Sequence, residues 1–376
     1  MEKGIKINLY KAFKYIIIFM LFTSVFILLI LYRNVVSNSI YNSVNYCLSA
    51  LYPSLFPFMF TSTLFSLSMP ENILSKIFSP FMKKFFKLRG NCFLAFIFAL
   101  LFGYPLGAKF TSVLLKENKI SENEAFRLFS CCLSPGLPFC VLFVGGKLLG
   151  SIQIGLIIFI SIILSNISIL FISSFFSKPP LEIILVNINL STYEKINLSL
   201  NSSAKALLNM ALYILIFRAI SDLLFASGTF SKLNSLLFFI PSEIKALLSC
   251  FLFEVTGGIN DAVKINLSLP YIAAGLSFGG LSIFFQLFSF FKSHSFKLLR
   301  LIIIRLIGSF LTYLCLKLYC IIYPETCSLA VSYSMYEINK PYTQNSFIST
   351  VLFTLLLLFM VLLCEKKQND KNYGNS

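Results

Sequence analysis

Apolar runs of membrane-spanning length, set apart by short polar stretches, organise the chain from Tyr15 to Cys364. Ten of them read as helical membrane segments: Tyr15–Tyr32, Tyr46–Leu67, Cys92–Leu115, Ala125–Leu149, Ile152–Phe176, Ala204–Phe225, Ile244–Ile259, Leu269–Phe291, Leu298–Ile322 and Phe347–Cys364. The pattern predicts an all-α, polytopic integral membrane protein. Lys3, Lys6, Lys11 and Lys14 before the first run suit a signal peptide. The run is long, however, has no small-residue cleavage site and is followed by further apolar segments, so it reads as an uncleaved first helix with a cytoplasmic N-terminus.

Five segments are interrupted. Pro53 and Pro57 break the second, Gly103-Tyr104-Pro105-Leu106-Gly107 the third, Ser134-Pro135-Gly136-Leu137-Pro138 the fourth, Thr256-Gly257-Gly258 the seventh and Phe278-Gly279-Gly280-Leu281-Ser282 the eighth. Gly and Pro free backbone amides and carbonyls, which at membrane depth persist only where protein or a wet cavity satisfies them. One such break alone is equally well a close helix contact or a simple kink. Their recurrence favours breaks that face one another in the interior.

The breaks also repeat. Leu101 to Ala108 lies over Leu252 to Ile259 at a constant offset, and each stretch is followed by a polar patch and a second broken segment, Leu133 to Pro138 or Leu276 to Ser282. Amphipathic connectors beginning Leu74-Ser75-Lys76 and Phe230-Ser231-Lys232 precede both. The expected organisation is therefore a tail and first helix (1–43), a first repeat (44–176), a linker (177–203), a second repeat (204–322), and an outer loop, last helix and tail (323–376). Paired broken segments in corresponding positions point to a midplane site in secondary transporters. If every segment crosses fully the repeats are parallel; an inverted pair requires re-entrant hairpins, and both arrangements remain open at this stage.

Composition narrows the class. Hydrophobic residues make up 57% of the chain and charged ones 12%, about half the charge of a soluble domain. The net charge of +16 arises from 31 Lys and Arg against 15 Asp and Glu, scattered in short clusters that do not suit a nucleic-acid partner. Full crossings put Lys83, Lys84, Lys87, Arg89, Lys292, Lys297, Arg300, Lys366, Lys367 and Lys371 on the side of the N-terminus, so both termini are expected in the cytoplasm of a cell-membrane protein. The loop Tyr323 to Ser346 then lies outside, where Cys320 and Cys327 flank its start and could pair.

The ordered motifs Leu55-Phe56-Pro57-Phe58, Gly103 to Lys109, Glu124 to Leu128, Ser134-Pro135-Gly136, Glu254 to Gly258, and Phe278 to Ser282 with Gln286 resemble the sporulation integral membrane proteins of the YlbJ type. Those proteins carry two nucleoside-recognition, or Gate, domains similar to parts of nucleoside and ferrous-iron transporters. The resemblance implies a role in making the spore cortex, a transporter-like fold and other sporulation membrane proteins as partners. Here Ser134-Pro135-Gly136 stands where many relatives carry an Asn-containing segment.

Among candidate residues Glu254 is the most informative, because a carboxylate inside an apolar stretch costs a few kcal/mol unless paired, protonated or solvated. It reads as a ligand for a solute or coupling cation, with Lys109 or Arg218 as partner; Asp222, four residues after Arg218, offers that arginine a local partner instead. Gly103, Pro105, Gly107, Ser134, Pro135, Gly136, Gly257, Gly258, Gly279 and Gly280 form the broken backbone of the expected site. Thr256, Asn260, Ser277, Ser282 and Gln286 add neutral donors and acceptors, which suit a nucleoside or sugar and suit helix-to-helix hydrogen bonds equally. Lys116 to Arg127 reads as a solvated loop with a capping box at Ser121 and Glu124. The lone His294 has no metal-ligand or nucleophile pattern near it, and no phosphate loop is present, so neither catalysis, a cofactor nor ATP-driven transport is expected. The functional expectation is a transporter or sensor of a small polar solute, set against a non-transporting scaffold for spore-envelope assembly.

Overall fold

A computed structural model describes residues 15, 19–20, 22–68, 71–131, 133–178, 191–291 and 297–324. Those residues are helical, with one isolated antiparallel bridge between Gly103 and Pro135. Outside them lie the N-terminal lysines, His294, Lys292, Cys327, most of the predicted outer loop, the apolar segment Phe347–Cys364 and the tail lysines. Cys320 is disulfide-bonded.

The chain begins with α1 (Phe22–Leu31) and α2 (Arg33–Tyr46). A π-helical turn (Cys47–Leu51), α3 (Tyr52–Ser68), α4 (Glu71–Phe81) and a second π turn (Met82–Phe86) follow. Next come α5 (Cys92–Phe102), α6 (Tyr104–Lys116), α7 (Glu122–Cys131), a long π-helical stretch (Pro138–Leu148) and α8 (Ile152–Phe175). The rest comprises α9 (Thr192–Ala226), α10 (Thr229–Leu236), α11 (Ser242–Phe251), α12 (Val255–Lys264), α13 (Leu269–Phe278), α14 (Gly280–Phe288) and α15 (Leu298–Ile322).

Four helical stretches are long and apolar enough to cross a membrane: Ile152–Phe175, Thr192–Ala226, Leu269–Phe291 and Leu298–Ile322. A fifth arises if Phe22–Leu31 and Arg33–Ser49, which meet at 85°, count as one span. The described residues divide into two compact units, the larger within Ser43–Phe217 and Ile240–Ile338, the smaller within Met1–Asn42 and Arg218–Phe239. In the smaller unit Arg218 pairs with Asp222 at 2.8 Å, one helical turn away, and Phe225 packs on Phe230 at the turn into α10. The predicted local partner of Arg218 is thus present.

In the larger unit two predicted segments turn out to be hairpins rather than straight crossings. Phe98 and Phe110 stack with ring centroids 4.9 Å apart, although twelve residues of straight helix would separate them by about 18 Å. Segment Cys92–Leu115 therefore doubles back at Gly103, whose φ of 79° and ψ of −161° only glycine adopts readily. Pro105 follows in the first turn of α6, where its missing N–H is no loss. Segment Ile244–Ile259 does the same: a Cβ on Gly258 would lie 2.2 Å from the carbonyl oxygen of Cys250, a residue about 12 Å away along a straight helix. Length and hydropathy are alike for a crossing and a hairpin, which is why the pattern alone left the choice open.

A second departure concerns Lys116 to Arg127. The predicted capping box forms, with Ser121 N and Oγ both donating to Glu124 Oε2 at 2.9 Å, but Lys119, Glu124 and Arg127 are buried. Glu124 also takes the Arg89 N–H and lies 3.3 Å from its Nε, and Arg89 donates to the Lys119 carbonyl. Arg127 donates to the carbonyls of Phe86 and Lys87 and to Ser173 Oγ. Arg89 pairs with Glu124 and Lys119 with Glu117, while Arg127 is satisfied by neutral carbonyls and a hydroxyl, so this end of the stretch is a packed junction instead of a solvated loop.

Helix crossings are close where glycines meet. A Cβ on Gly155 of α8 would lie 2.9 Å from Gly145 Cα in the π-helical stretch. The hairpin crossings make a direct prediction. Gly258→Ala forces backbone movement and is expected to cost about 1–3 kcal/mol, whereas Gly146→Ala, whose Cβ meets nothing nearer than 3.7 Å, is expected to be neutral. Thermal melts of the purified protein in detergent measure the difference, and equal melting of the two variants would contradict the hairpin at Gly258.

Candidate functional site

Each hairpin tip docks on the break of a long helix. In the first half Gly103 pairs with Pro135, and the Tyr104 N–H donates to the Ser134 carbonyl at 2.9 Å. The approach is so close that a Cβ on Gly103 would lie 2.4 Å from Gly136 N, and one on Gly136 2.5 Å from the Phe102 carbonyl carbon. In the second half the Leu281 and Ser282 N–H groups donate to the carbonyls of Leu252 and Phe253 at 2.8 and 2.9 Å. Gly279 and Gly280, with φ of 92° and 74°, let the chain pass from α13 to α14 while these amides turn toward the tip. Backbone groups freed by one break are thereby satisfied by the other.

Glu254 sits at the second tip as the N-cap of α12. Its Oε1 accepts from Thr256 N at 2.7 Å and Thr256 Oγ1 at 2.5 Å, and its Oε2 accepts from Gly257 N at 2.6 Å. The two backbone amides are donors that the first turn of any helix leaves without intrahelical partners, and the positive end of the α12 dipole favours the carboxylate. Tyr46, Cys47 and Tyr104 lie within electrostatic reach of Glu254, and Cys140 within reach of Tyr104. Tyr46 packs edge-on against Phe143 at 4.9 Å. Tyr46, Cys47 and Tyr104 thus share the electrostatic surroundings of Glu254, with Cys47 opening one π-helical stretch and Cys140 lying in the other, and π-helical widening is common at functional sites.

The remaining predicted residues separate by role. Gly107 and Gly258 lie inside α6 and α12, and Asn260 Nδ2 donates to the Thr256 carbonyl one turn back. Lys109 is half-buried on α6 and makes no ion pair among the described residues. Gln286 is buried on α14, and its Nε2 has no hydrogen-bond partner among the described residues, so its amide remains available to a ligand or water. Ser277 belongs to a different cluster, one that sequence reasoning missed.

That cluster centres on Arg305, two turns into α15 and fully buried. Its Nη1 donates to the Ser130 carbonyl at 3.1 Å and to Asn166 Oδ1 at 3.0 Å; its Nη2 donates to the Ser277 carbonyl and, at 3.2 Å, to Ser277 Oγ. Thr312 Oγ1 bonds Ser277 Oγ at 3.0 Å, while Ser165 and Ser309 hydroxyls bond the carbonyls of Gly308 and Ala274. Ser130 lies in the last turn of α7 and Ser277 in the last turn of α13, so one guanidinium donates to C-terminal carbonyls of both broken helices. The signal was available: an arginine seven residues into an apolar 25-residue helix meets the same criterion that singled out Glu254.

No group of three or more metal-ligating side chains occurs among the described residues. No protein-family model, curated protein or solved structure matches the chain. The capping geometry predicts that Glu254→Ala loses about 1–2 kcal/mol of stability, the usual cost of a deleted N-cap, and that Thr256→Val, which leaves both backbone bonds in place, loses less. Melting in detergent reports both, and an unchanged midpoint for Glu254→Ala would exclude the cap.

Proposed function

We propose that the chain is a multi-pass cell-membrane protein that moves or senses a small polar solute where the hairpin tips meet the broken helices. The observation that carries this reading is the double pairing of tip and break, Gly103-Tyr104 with Ser134-Pro135-Gly136 and Leu252-Phe253 with Leu281-Ser282. Irregular backbone at membrane depth in two corresponding places is what alternating-access transporters use to build a midplane site.

The hairpins also bear on the repeat. Of the ten apolar segments, two become re-entrant, which leaves an odd number of crossings in each half and makes the halves antiparallel. The total still places both termini on the cytoplasmic side, with Lys83, Lys84, Lys87, Lys297 and Arg300 beside them, in keeping with the positive-inside rule. The resemblance to YlbJ-type proteins supplies the biological setting of this proposal, spore-cortex formation, and a nucleoside or an envelope precursor as the class of solute.

Tyr104 and Glu254, one from each tip, should matter most. Reconstituted in liposomes, the protein is expected to take up or bind labelled nucleosides or sugars. Tyr104→Ala and Glu254→Gln should each lower that activity about tenfold, equivalent to about 1.4 kcal/mol, while Leu306→Ala on the exposed face of α15 should not. Failure to bind or move any candidate, or equal activity in all three variants, would sink the reading.

A further inference from the structure

We propose that Arg305 is a built-in cation, occupying an oxygen cage of the kind that holds an alkali-metal ion in other broken-helix proteins. Its ligands are the chemistry of such a site: the main-chain carbonyls of Ser130 and Ser277, the amide oxygen of Asn166 and the hydroxyl of Ser277, itself held by Thr312. Two of these oxygens end α7 and α13, where the helix dipoles concentrate negative potential and where unwound helices commonly coordinate sodium. A guanidinium placed there supplies the positive charge covalently. It reaches both halves of the larger unit at once, since Ser130 and Asn166 precede the linker and Ser277 follows it. The two broken helices therefore need no bound metal ion to hold their ends together.

The consequence for coupling rests on the transport reading above: solute movement would require neither sodium nor potassium at this position. Occupancy of the cage does not depend on that reading and is measured without any solute. The full-length protein in detergent should melt at the same temperature in sodium, potassium and choline chloride of equal ionic strength. Arg305→Lys, which keeps the charge, should retain most of the stability, and Arg305→Met, of similar length and apolar, should melt roughly 5–10 °C lower. Arg305→Ala should be stabilised by millimolar guanidinium, to which the wild type is indifferent.

Buried ionic groups can often be exchanged for apolar ones without loss, so the comparison is a demanding one. An Arg305→Met protein as stable as Arg305→Lys would overturn the proposal. So would a sodium- or potassium-specific rise in the melting temperature of the wild type that Asn166→Ala abolishes, because it would place a metal ion in the cage. The wild-type comparison decides the matter even if the Arg305 variants do not fold.

Discussion

A helix broken inside an apolar environment must have every freed N–H and C=O satisfied by the protein itself, and the larger unit is arranged around that constraint. An unsatisfied buried polar group costs about 1–3 kcal/mol, so several unanswered breaks would exceed the whole stability of an ordinary domain. The solution here is mutual. Tyr104 answers Ser134 across the first pair of breaks, and Leu281 and Ser282 answer Leu252 and Phe253 across the second. Hairpin tips and broken helices are interdependent parts of one device, and disturbing either leaves the other with exposed backbone dipoles.

Side chains complete what the backbone pairs leave over, and they do so with the correct sign. The N-terminal amides of α12 receive the carboxylate of Glu254, while the C-terminal carbonyls of α7 and α13 receive the guanidinium of Arg305. Each buried charge is matched to a helix end of opposite polarity, which is the condition under which an ion is tolerable in a low-dielectric interior. Arg305 is held by groups from the helices it joins and Glu254 by the first turn of the helix it caps, so the first role of each is to fix geometry.

How much of this was legible depends on what each feature requires. Gly103, Pro135, Gly279 and Gly280 could be identified as breaks because glycine and proline declare themselves locally, whereas Gly257, predicted as a break, lies within α12 and the chain turns just before it at Leu252–Glu254. The capping box of Ser121 and Glu124 is local too, and it forms. Whether Cys92–Leu115 crosses or doubles back was not legible, because apolarity and length are identical in the two cases and the difference lies in one φ/ψ pair at Gly103. The burial of Lys119, Glu124 and Arg127 depends on Arg89 and on the carbonyls of Phe86 and Lys87, more than thirty residues away in the chain, and no local pattern encodes that. Arg305 was legible in principle. It was passed over because its helix read as an ordinary span, whereas the Gly-rich break beside Glu254 drew attention to the acid.

The division between engaged charges and available neutral groups bears on the chemistry of any solute. Glu254 and Arg305 are a buried carboxylate and a buried guanidinium, and each is bonded to a helix end. The polar groups around them are phenols, hydroxyls and an amide: Tyr46 and Tyr104 near the acid, Ser282 at the break and Gln286 with a donor still unmatched. A strongly ionic solute would have to compete with helix ends for those charges, at the expense of the very bonds that hold the tips in place. The buried charges are thus committed to helix ends and belong to the packing as much as to any site, while the half-buried Lys109 on α6 carries no ion pair among the described residues.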